Sequence, residues 1–510
     1  MSLSRKAEGG SGGRVALALA AWCSAAVVFF WRQGWLLYYG DAEAHLNIAR
    51  RLFDSQIPGY KQIGTVWLPL PHALIAPFAR VDSLWFSGLA GAIPSAACMF
   101  MAGCFLYFAA LRIFASKGAA LTATALLVLN PNMMYVGSTA MTEAYFAACL
   151  TGLLYFSVRF RDTQGLGAVM GAGIAACMGT LTRYEGWFLL PFAAAYFLFT
   201  AKRNKLGTAL VFGIIAGMGP LYWLFHNWWL TGDALDFFRG PYSARAIQGG
   251  RPYPGKGDWR LAALYYGSAV RLCAGTALAI AGLLGTVVLL ARRAVWPLAL
   301  LALPPLFYVW SVHSSGTPIF APELWPNSFY NTRYGLAALP LLALAAGALV
   351  AAVPPGVRKF AAVLVIVAGA GWWAAYHKPA DWVTWAESKA NSEGRRAWTR
   401  EASGYLSSRF VRGSGLVASS GEDFSGIFRE MRLPLREVFG VCNDLEWTAA
   451  TQRPDLYVWH EWLVVKSDDP VLAAIKRRGA PRYKLEFEIR ENKEPVVQVY
   501  RRIGGVHGGA

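Results

Sequence analysis

The feature that most constrains this chain is a series of long apolar runs that extends from residue 15 to Tyr376. A helix needs about 20 mainly apolar residues to cross the hydrocarbon core of a bilayer. We predict about eleven transmembrane helices, near residues 15–38, 84–113, 118–136, 140–158, 166–182, 186–201, 207–230, 261–291, 295–312, 334–353 and 357–376. Only 15% of the residues are charged, which agrees with a polytopic α-helical membrane protein.

The loops on the two sides of these helices differ in charge. Alternate short loops carry basic residues, at Arg112 and Lys117, Arg159 and Arg161, Lys202 to Lys205, Arg292 and Arg293, and Arg358 and Lys359. Cytoplasmic loops are enriched in Lys and Arg, so we predict a cytoplasmic N-terminal tail at residues 1–14 and a periplasmic or extracellular C-terminus. The expected location is the plasma membrane, the bacterial inner membrane, crossed many times.

The net charge of +18 follows from this topology and from affinity for anionic membrane lipids. The basic residues are spread over many loops and lack the motif of any nucleic-acid-binding fold, so no nucleic acid is expected as a partner.

Composition divides the chain once, near His377. We predict a transmembrane domain at 15–378, with outer loops at about 40–83 and 231–260, and a small soluble α/β domain at 379–510. Alternating apolar patterns in the soluble domain predict strands at 415–418, 436–441, 456–459, 483–489 and 495–500, with helices at 424–432, 444–452 and 470–478 between them. Its role is open between acceptor docking and structural support.

Ionisable residues gather at the predicted outer boundary, where they are costly and tend to mark function. Asp41, Glu43 and His45 directly follow the first span, and Asp41 is well placed to cap a short helix. In the simplest interpretation Asp41 is only that cap, and Glu43 is a first-turn charge favoured by the helix dipole. Further ionisable residues follow at Glu143, at Arg183-Tyr184-Glu185 and at Arg333-Tyr334.

This combination resembles the GT-C glycosyltransferases, in the bacterial branch similar to the protein mannosyltransferase and lipid A aminoarabinose transferase families. The resemblance is carried by Asp41-x-Glu43 in a long first outer loop, the segment from Asn130-Pro131 to Thr142-Glu143, the Thr182–Glu185 turn and Arg333-Tyr334. The family's first-loop signature is usually Asp-Glu or Asp-x-Asp. The Asp-x-Glu found here leaves the finer branch and any metal requirement open.

The resemblance implies inverting transfer of a hexosyl or pentosyl unit from a polyprenyl-phosphate donor to a lipid, glycan or protein acceptor outside the membrane. One carboxylate must take the proton of the acceptor hydroxyl, and cations must neutralise the phosphate leaving group. We expect Asp41 as this base, with Glu43 supporting it or contacting the donor sugar. The expected donor-binding residues are Arg183, Arg333, Glu143, Glu185, Lys61, His45 and Tyr184.

Several alternatives stay open. Arg183 and Glu185 could pair only with each other, and Arg333 could be an interfacial anchor. Asp41, Glu43, His45 and His72 could hold Mg²⁺ or Mn²⁺, although nothing in the spacing demands a metal. Loop 231–260 is long and rich in glycine and proline, which favours a flexible lid over the donor site. The rival functions are a transporter or flippase for lipid-linked sugars and a non-catalytic assembly protein.

Overall fold

The protein is described by a computed structural model that covers residues 2–314, 316–376, 378–419, 423–491 and 495–504, with the side chains of residues 2–11 and Asp444 left out. For most of the predicted tail at 1–14, the side chains are therefore outside the described part of the protein. Up to the predicted soluble domain the helices are α1 (Ser2–Arg32), α2 (Gly40–Arg51), α3 (Leu70–Ala79), α4 (Asp82–Ser87), α5 (Leu89–Phe114), α6 (Lys117–Val128), α7 (Pro131–Val136), α8 (Glu143–Thr163), α9 (Leu166–Thr180), α10 (Glu185–Thr200), α11 (Lys205–Thr231), α12 (Asp236–Arg239), α13 (Ala244–Gln248), α14 (Trp259–Ala274), α15 (Thr276–Ala291), α16 (Val295–Ser314), α17 (Leu339–Ala352) and α18 (Arg358–Ala375).

Six helices within the described residues are long and apolar enough to cross a membrane. They are Gly12–Arg32, Leu89–Phe114, Lys205–Thr231, Val295–Ser314, Thr332–Ala352 and Pro355–Ala375, and a bent pair brings the number to seven. Each of the eleven predicted segments overlaps a helix or a helix pair, but helices such as α6 and α9 have only 12 and 15 residues. The number eleven stays a prediction.

The predicted spans 118–136 and 261–291 each contain a break between two helices. The predicted span 118–136 is interrupted because Asn130 caps a new helix: its side chain accepts a hydrogen bond from Met133 N at 3.0 Å, and Pro131 occupies the first helical position. The predicted span 261–291 is wrong as one helix, since α14 and α15 meet at 110°. Gly275 stands at the bend with φ +81°, a conformation that other residues rarely adopt.

The chain forms two compact units. The first, called the helical unit, comprises the segment ending at Leu36 together with Thr65–Leu74 and Ala92–Glu387. The second, called the sheet unit, comprises Leu37–Gly64, Ile75–Gly91 and the chain from Ser388 onward. Most of the predicted first outer loop therefore packs with the C-terminal part of the chain.

The sheet unit is built around a five-stranded mixed sheet with strand order β2-β1-β3-β5-β4. The strands are β1 (Leu416–Ala418), β2 (Val438–Phe439), β3 (Trp462–Lys466), β4 (Tyr483–Ile489) and β5 (Val497–Arg502). β1 lies parallel to β2 and β3, whereas β5 is antiparallel to β3 and β4. The helices of this part are α19 (Val383–Ala390), α20 (Glu393–Ser407), α21 (Ser425–Glu430), α22 (Asp444–Gln452), α23 (Pro454–Tyr457) and α24 (Pro470–Arg478), of which α19 straddles the boundary between the units.

One predicted strand is wrong. Residues 456–459 are not a strand, because Pro454 begins a short helix that ends at Tyr457. The strand follows at Trp462–Lys466, where four consecutive residues are fully buried. An uninterrupted apolar run of this kind is typical of a strand covered on both faces. Helices α19 and α20 were also not predicted, and both contribute to the sites described below.

Candidate active site

Short connections at the ends of apolar helices bring four predicted site residues together in the helical unit. Glu143 and Glu185 are the first residues of α8 and α10, where the helix dipole favours a carboxylate. Arg183 lies in the turn between α9 and α10, and Arg333 lies in the 3₁₀ turn Thr332–Ala338 that precedes α17. All four are largely or fully buried, so their charges must be compensated by one another or by a ligand.

Arg183 is held by four oxygen acceptors. Its Nε donates to Glu185 Oε1 at 2.5 Å, and its Nη1 donates to Thr142 Oγ1 at 2.7 Å and to Glu143 Oε1 at 3.1 Å. Its Nη2 donates to the Tyr308 hydroxyl at 2.5 Å. That hydroxyl in turn donates to Glu185 Oε1 at 2.5 Å. Arg183 and Glu185 therefore pair, as one alternative expected, but they do so within a larger network.

Arg333 is paired with two carboxylates. Its Nε lies 3.2 Å from Glu143 Oε1, and its Nη1 donates to Glu387 Oε1 at 3.1 Å. Glu387, in α19, is 1% exposed and also accepts from the backbone N–H and the hydroxyl of Thr332. Burial raises the pKa of the Glu387 carboxyl, although Arg333 and the Thr332 donors oppose that shift.

Tyr334 lies between the two arginines. The guanidinium carbons of Arg183 and Arg333 are each 5.3 Å from the centroid of its ring, a distance at which cations are attracted to an aromatic face. Tyr308 stacks on Tyr334 with ring centroids 4.7 Å apart, and Tyr266 stacks on Tyr308 at 5.7 Å. The stacked rings form an aromatic wall against which both guanidinium groups lie.

A small cavity lies beside this network. It is lined by Met133, Glu143, Phe146, Ala147, Leu150, Arg183, Glu185, Tyr308, Arg333, Tyr334, Leu336, Ala337 and Pro340. Glu143 uses Oε1 for both arginines, whereas its buried Oε2 has no hydrogen-bond partner among the described residues. Apolar walls with a few convergent charged groups are typical of a ligand site.

The two predicted catalytic carboxylates lie in the sheet unit, in the first turn of α2, and their environments differ. Asp41 is half-buried, whereas Glu43 is 4% exposed and forms ion pairs with Arg429 and Arg395. The residue at the N-cap of α2 is Tyr39, so the prediction that Asp41 caps this helix is wrong. Glu43 also accepts a hydrogen bond from the Ser425 hydroxyl.

The three remaining predicted donor-binding residues are divided between the two units. Tyr184 belongs to the helical unit, where its hydroxyl donates to Val66 O at 2.7 Å and accepts from Trp223 Nε1 at 3.1 Å. His45 is buried inside α2, and Lys61 is exposed on the 3₁₀ turn Tyr60–Ile63, both in the sheet unit.

The described part of the chain contains no group of three or more His, Cys, Asp or Glu side chains arranged to hold a metal ion. Glu43 is already engaged by two arginines, which leaves it poorly suited to a divalent cation.

The predicted lid segment 231–260 contains the short helices α12 and α13. Phe237 stacks on Tyr184, the neighbour of Arg183, with ring centroids 5.0 Å apart and planes within 14°. Tyr253 is buried in a small hydrophobic core that also contains Tyr266 and Tyr308. The segment is thus in contact with the turn that carries Arg183, and its movement stays a hypothesis.

Sequence reasoning missed three charged partners of the predicted residues: Glu387, Arg395 and Arg429. Each lies in the C-terminal part of the chain, far in sequence from the residue it contacts. The signal in the sequence was the amphipathic pattern of α20. Arg395 lies on the inner face of that helix, where a charged residue needs a partner.

Residues 69–223 match the family model of the dolichyl-phosphate-mannose-protein mannosyltransferases. The crystal structure of ArnT from Cupriavidus metallidurans in the apo state is similar with a TM-score of 0.56 and 15% identity, over 94% of this chain and 98% of that one. The ArnT structure bound to undecaprenyl phosphate gives a TM-score of 0.54 and 12% identity, over 93% and 97%.

The chain has the fold of the GT-C glycosyltransferases. No curated protein matches its sequence. The mannosyltransferase match contains Glu143, Arg183 and Glu185, but it begins after Asp41 and ends before Arg333. The assignment of Asp41 and Arg333 to the candidate site therefore rests on the sequence pattern and the structure, and not on the family match.

Proposed function

We propose that this chain is a glycosyltransferase that moves a sugar from a polyprenyl-phosphate donor to a lipid, glycan or protein acceptor on the outer side of the membrane. The observation that carries the proposal is the cavity with two buried arginines in a GT-C fold. A phosphate carrier is further supported by ArnT, whose fold is similar and whose crystal structure contains undecaprenyl phosphate.

Asp41 is the proposed base. Glu43 is buried, and its carboxylate oxygens are already engaged by Arg395, Arg429 and the Ser425 hydroxyl. Asp41 is half-buried in the same helical turn, so an acceptor can reach it more easily. Glu43 is then a supporting residue, which is one of the two roles expected for it.

The reaction needs one bond formed and one broken. The acceptor hydroxyl oxygen attacks the anomeric carbon while Asp41 takes the hydroxyl proton, and the bond between that carbon and the phosphate oxygen breaks. The polyprenyl phosphate leaves with the electron pair, and the configuration at the anomeric carbon is inverted. Charge developing on the phosphate requires fixed cations, and Arg183 and Arg333 are the proposed ones.

Phosphate binding must compete with carboxylates already present. The two arginines face Glu143, Glu185 and Glu387, and Glu143 is the acceptor that both share. Among the described residues, Glu143 is held through Oε1 and its Oε2 has no hydrogen-bond partner, so we propose that the phosphate replaces the Oε1 contact. Glu185 and Glu387 then keep the two guanidinium planes in position.

The decisive experiment combines a binding assay and a product assay. Purified chain is titrated with tritiated undecaprenyl phosphate, and Arg183→Ala and Arg333→Ala are each expected to weaken binding at least tenfold. Arg161→Ala, in an exposed position, is the matched control and should bind normally. No measurable binding to the unmutated chain would contradict the proposal.

The product assay uses a deletion strain whose glycans and lipids are compared with the parent by mass spectrometry. Loss of one sugar from one molecule identifies donor and acceptor, and expression of the chain should restore it. Asp41→Asn should fail to restore it while still binding undecaprenyl phosphate. An unaltered glycan profile in the deletion strain would favour a transporter or an assembly protein.

A further inference from the structure

Arg395 contacts the chain on both sides of Asp41. It lies on α20, is 8% exposed, and donates from Nη2 to Tyr38 O at 2.6 Å and to Leu37 O at 3.3 Å. Its Nη1 lies 3.7 Å from Glu43 Oε2. Leu37 and Tyr38 precede α2, and Glu43 lies in the first turn of α2, so one guanidinium group bridges the start of that helix.

Two further contacts hold the same turn. Arg429, at the end of α21, forms an ion pair with Glu43 Oε1, and Ser425 at the start of α21 donates to Oε2. Arg396 lies over the ring of Tyr38 at 4.2 Å and donates to its hydroxyl at 3.0 Å. Both α20 and α21 thus engage residues that flank Asp41.

The opposite end of α2 is also anchored to the C-terminal part. Asp54 is 5% exposed and accepts from the backbone N–H groups of Leu435 and Arg436 at 3.2 and 3.3 Å. Arg50 pairs with Asp54 at 2.9 Å and with Asp82 at 2.6 Å. With both ends fixed, α2 cannot rotate or shift without breaking buried ion pairs, which is costly.

We infer that Arg395 is a positioning residue that, through Glu43 and the carbonyl groups before α2, sets the direction of the Asp41 carboxylate. The C-terminal part of the chain then completes the active site, because it supplies the side chains that orient the base. The inference rests on the proposed function, in which Asp41 takes the acceptor proton. A general base must lie within hydrogen-bond reach of that proton, and a misplacement of about 1 Å can cost about 10²-fold in rate.

The test compares Arg395→Ala, Arg395→Lys and Arg453→Ala in the deletion strain and as purified chains. Arg453 is the matched control, since its ion pair with Asp455 is exposed and does not involve α2. For Arg395→Ala we expect product formation about 10²-fold below that of the unmutated chain, with a dissociation constant for undecaprenyl phosphate changed by less than twofold. Arg395→Lys keeps the charge but not the forked geometry, so its product formation should lie between the two.

A purely structural role would lower binding and the unfolding temperature together, without recovery in the lysine variant, and that result would overturn the inference. Unchanged product formation in Arg395→Ala would also overturn it. Combining Arg395→Ala with Glu43→Gln should be no worse than the more damaging single change, since both act on one turn. Asp41→Asn distinguishes the proposed base from the proposed positioning role. If Asp41→Asn retains full activity, Asp41 is not the base. If Asp41→Asn is inactive and Arg395→Ala is active, only the positioning role of Arg395 is refuted.

Discussion

At the scale of single residues, Glu143 is the carboxylate that a bound phosphate must displace. Replacing it with glutamine removes a negative charge beside two arginines and keeps the shape of the side chain. We predict that Glu143→Gln binds undecaprenyl phosphate about tenfold more tightly, which corresponds to about 1.4 kcal/mol. The measurement is the same titration as for the arginine variants. Weaker binding would show that Glu143 orients the arginines and does not compete with the ligand.

His460 is a second residue with a measurable consequence. Burial lowers the pKa of its imidazole to about 3, and the charge of Arg502 adds to the shift. The ring is fully buried against Phe439 and Trp459, and its Nε2 lies 3.2 Å from Gln56 Nε2. In the unfolded chain a histidine has a pKa of about 6.5, so the unfolded state binds the proton first as pH falls.

This difference predicts a loss of stability in acid. Between pH 6.5 and pH 3 the free energy of unfolding should fall by up to about 1.4 kcal/mol per pH unit because of His460. Above about pH 7 the effect should vanish. Thermal unfolding of the detergent-solubilised chain, compared with His460→Gln, isolates this contribution, since other titrating groups are common to both. Equal pH slopes in the two proteins would rule it out.

At the scale of elements, the bend between α14 and α15 depends on Gly275. A Cβ at this position would lie 3.0 Å from Trp372 Cδ1 and 3.1 Å from Trp373 Cζ2, and its φ of +81° is unfavourable for alanine. Gly275→Ala should therefore lower the free energy of unfolding by about 1–3 kcal/mol. Thermal unfolding in detergent provides the measurement.

Gly267 provides the matched control for this bend. It lies within α14, and a Cβ there would meet no atom within 4 Å. Gly267→Ala should be neutral or stabilise the chain by up to about 1 kcal/mol, because alanine favours the helix. If both variants behaved alike, the strained conformation of Gly275 would not be what determines the bend.

At the scale of the whole molecule, the sheet unit restricts the topology. Residues of the predicted first outer loop and of the C-terminal part contact each other in one compact unit, as in the Glu43–Arg429 pair. Both segments must therefore lie on the same side of the membrane, and the chain between them must cross it an even number of times. The predicted topology satisfies this condition with ten crossings after the first span, although other even numbers do so too.

Labelling of introduced cysteines tests the sidedness. Lys61→Cys and Lys484→Cys, both at exposed positions of the sheet unit, should react with a membrane-impermeant maleimide in intact cells. Arg203→Cys, in a basic loop predicted to be cytoplasmic, should react only after permeabilisation. A Cys442→Ser background removes the natural cysteine of the sheet unit. Labelling of position 61 from the cytoplasm alone would contradict the outer location of Asp41.

The sequence by itself determined that the chain contains several apolar helices, that ionisable residues cluster at helix ends, and that it resembles GT-C enzymes. These features depend on local composition and spacing, which a helix of 3.6 residues per turn converts directly into structure. The sequence also pointed to Arg183, Glu185, Glu143 and Arg333, because each stands at the end of an apolar run. It erred where a short segment had two interpretations, as at 456–459.

Only the tertiary structure decided which partner each charge has. Glu43 and Arg429 are 386 residues apart, and Arg333 meets Glu387 across 54. Such pairs depend on how separate elements pack, and no local pattern encodes that choice. The structure therefore separated two carboxylates that the sequence placed in one motif: Glu43 is fixed in a buried ion pair, and Asp41 stays more accessible.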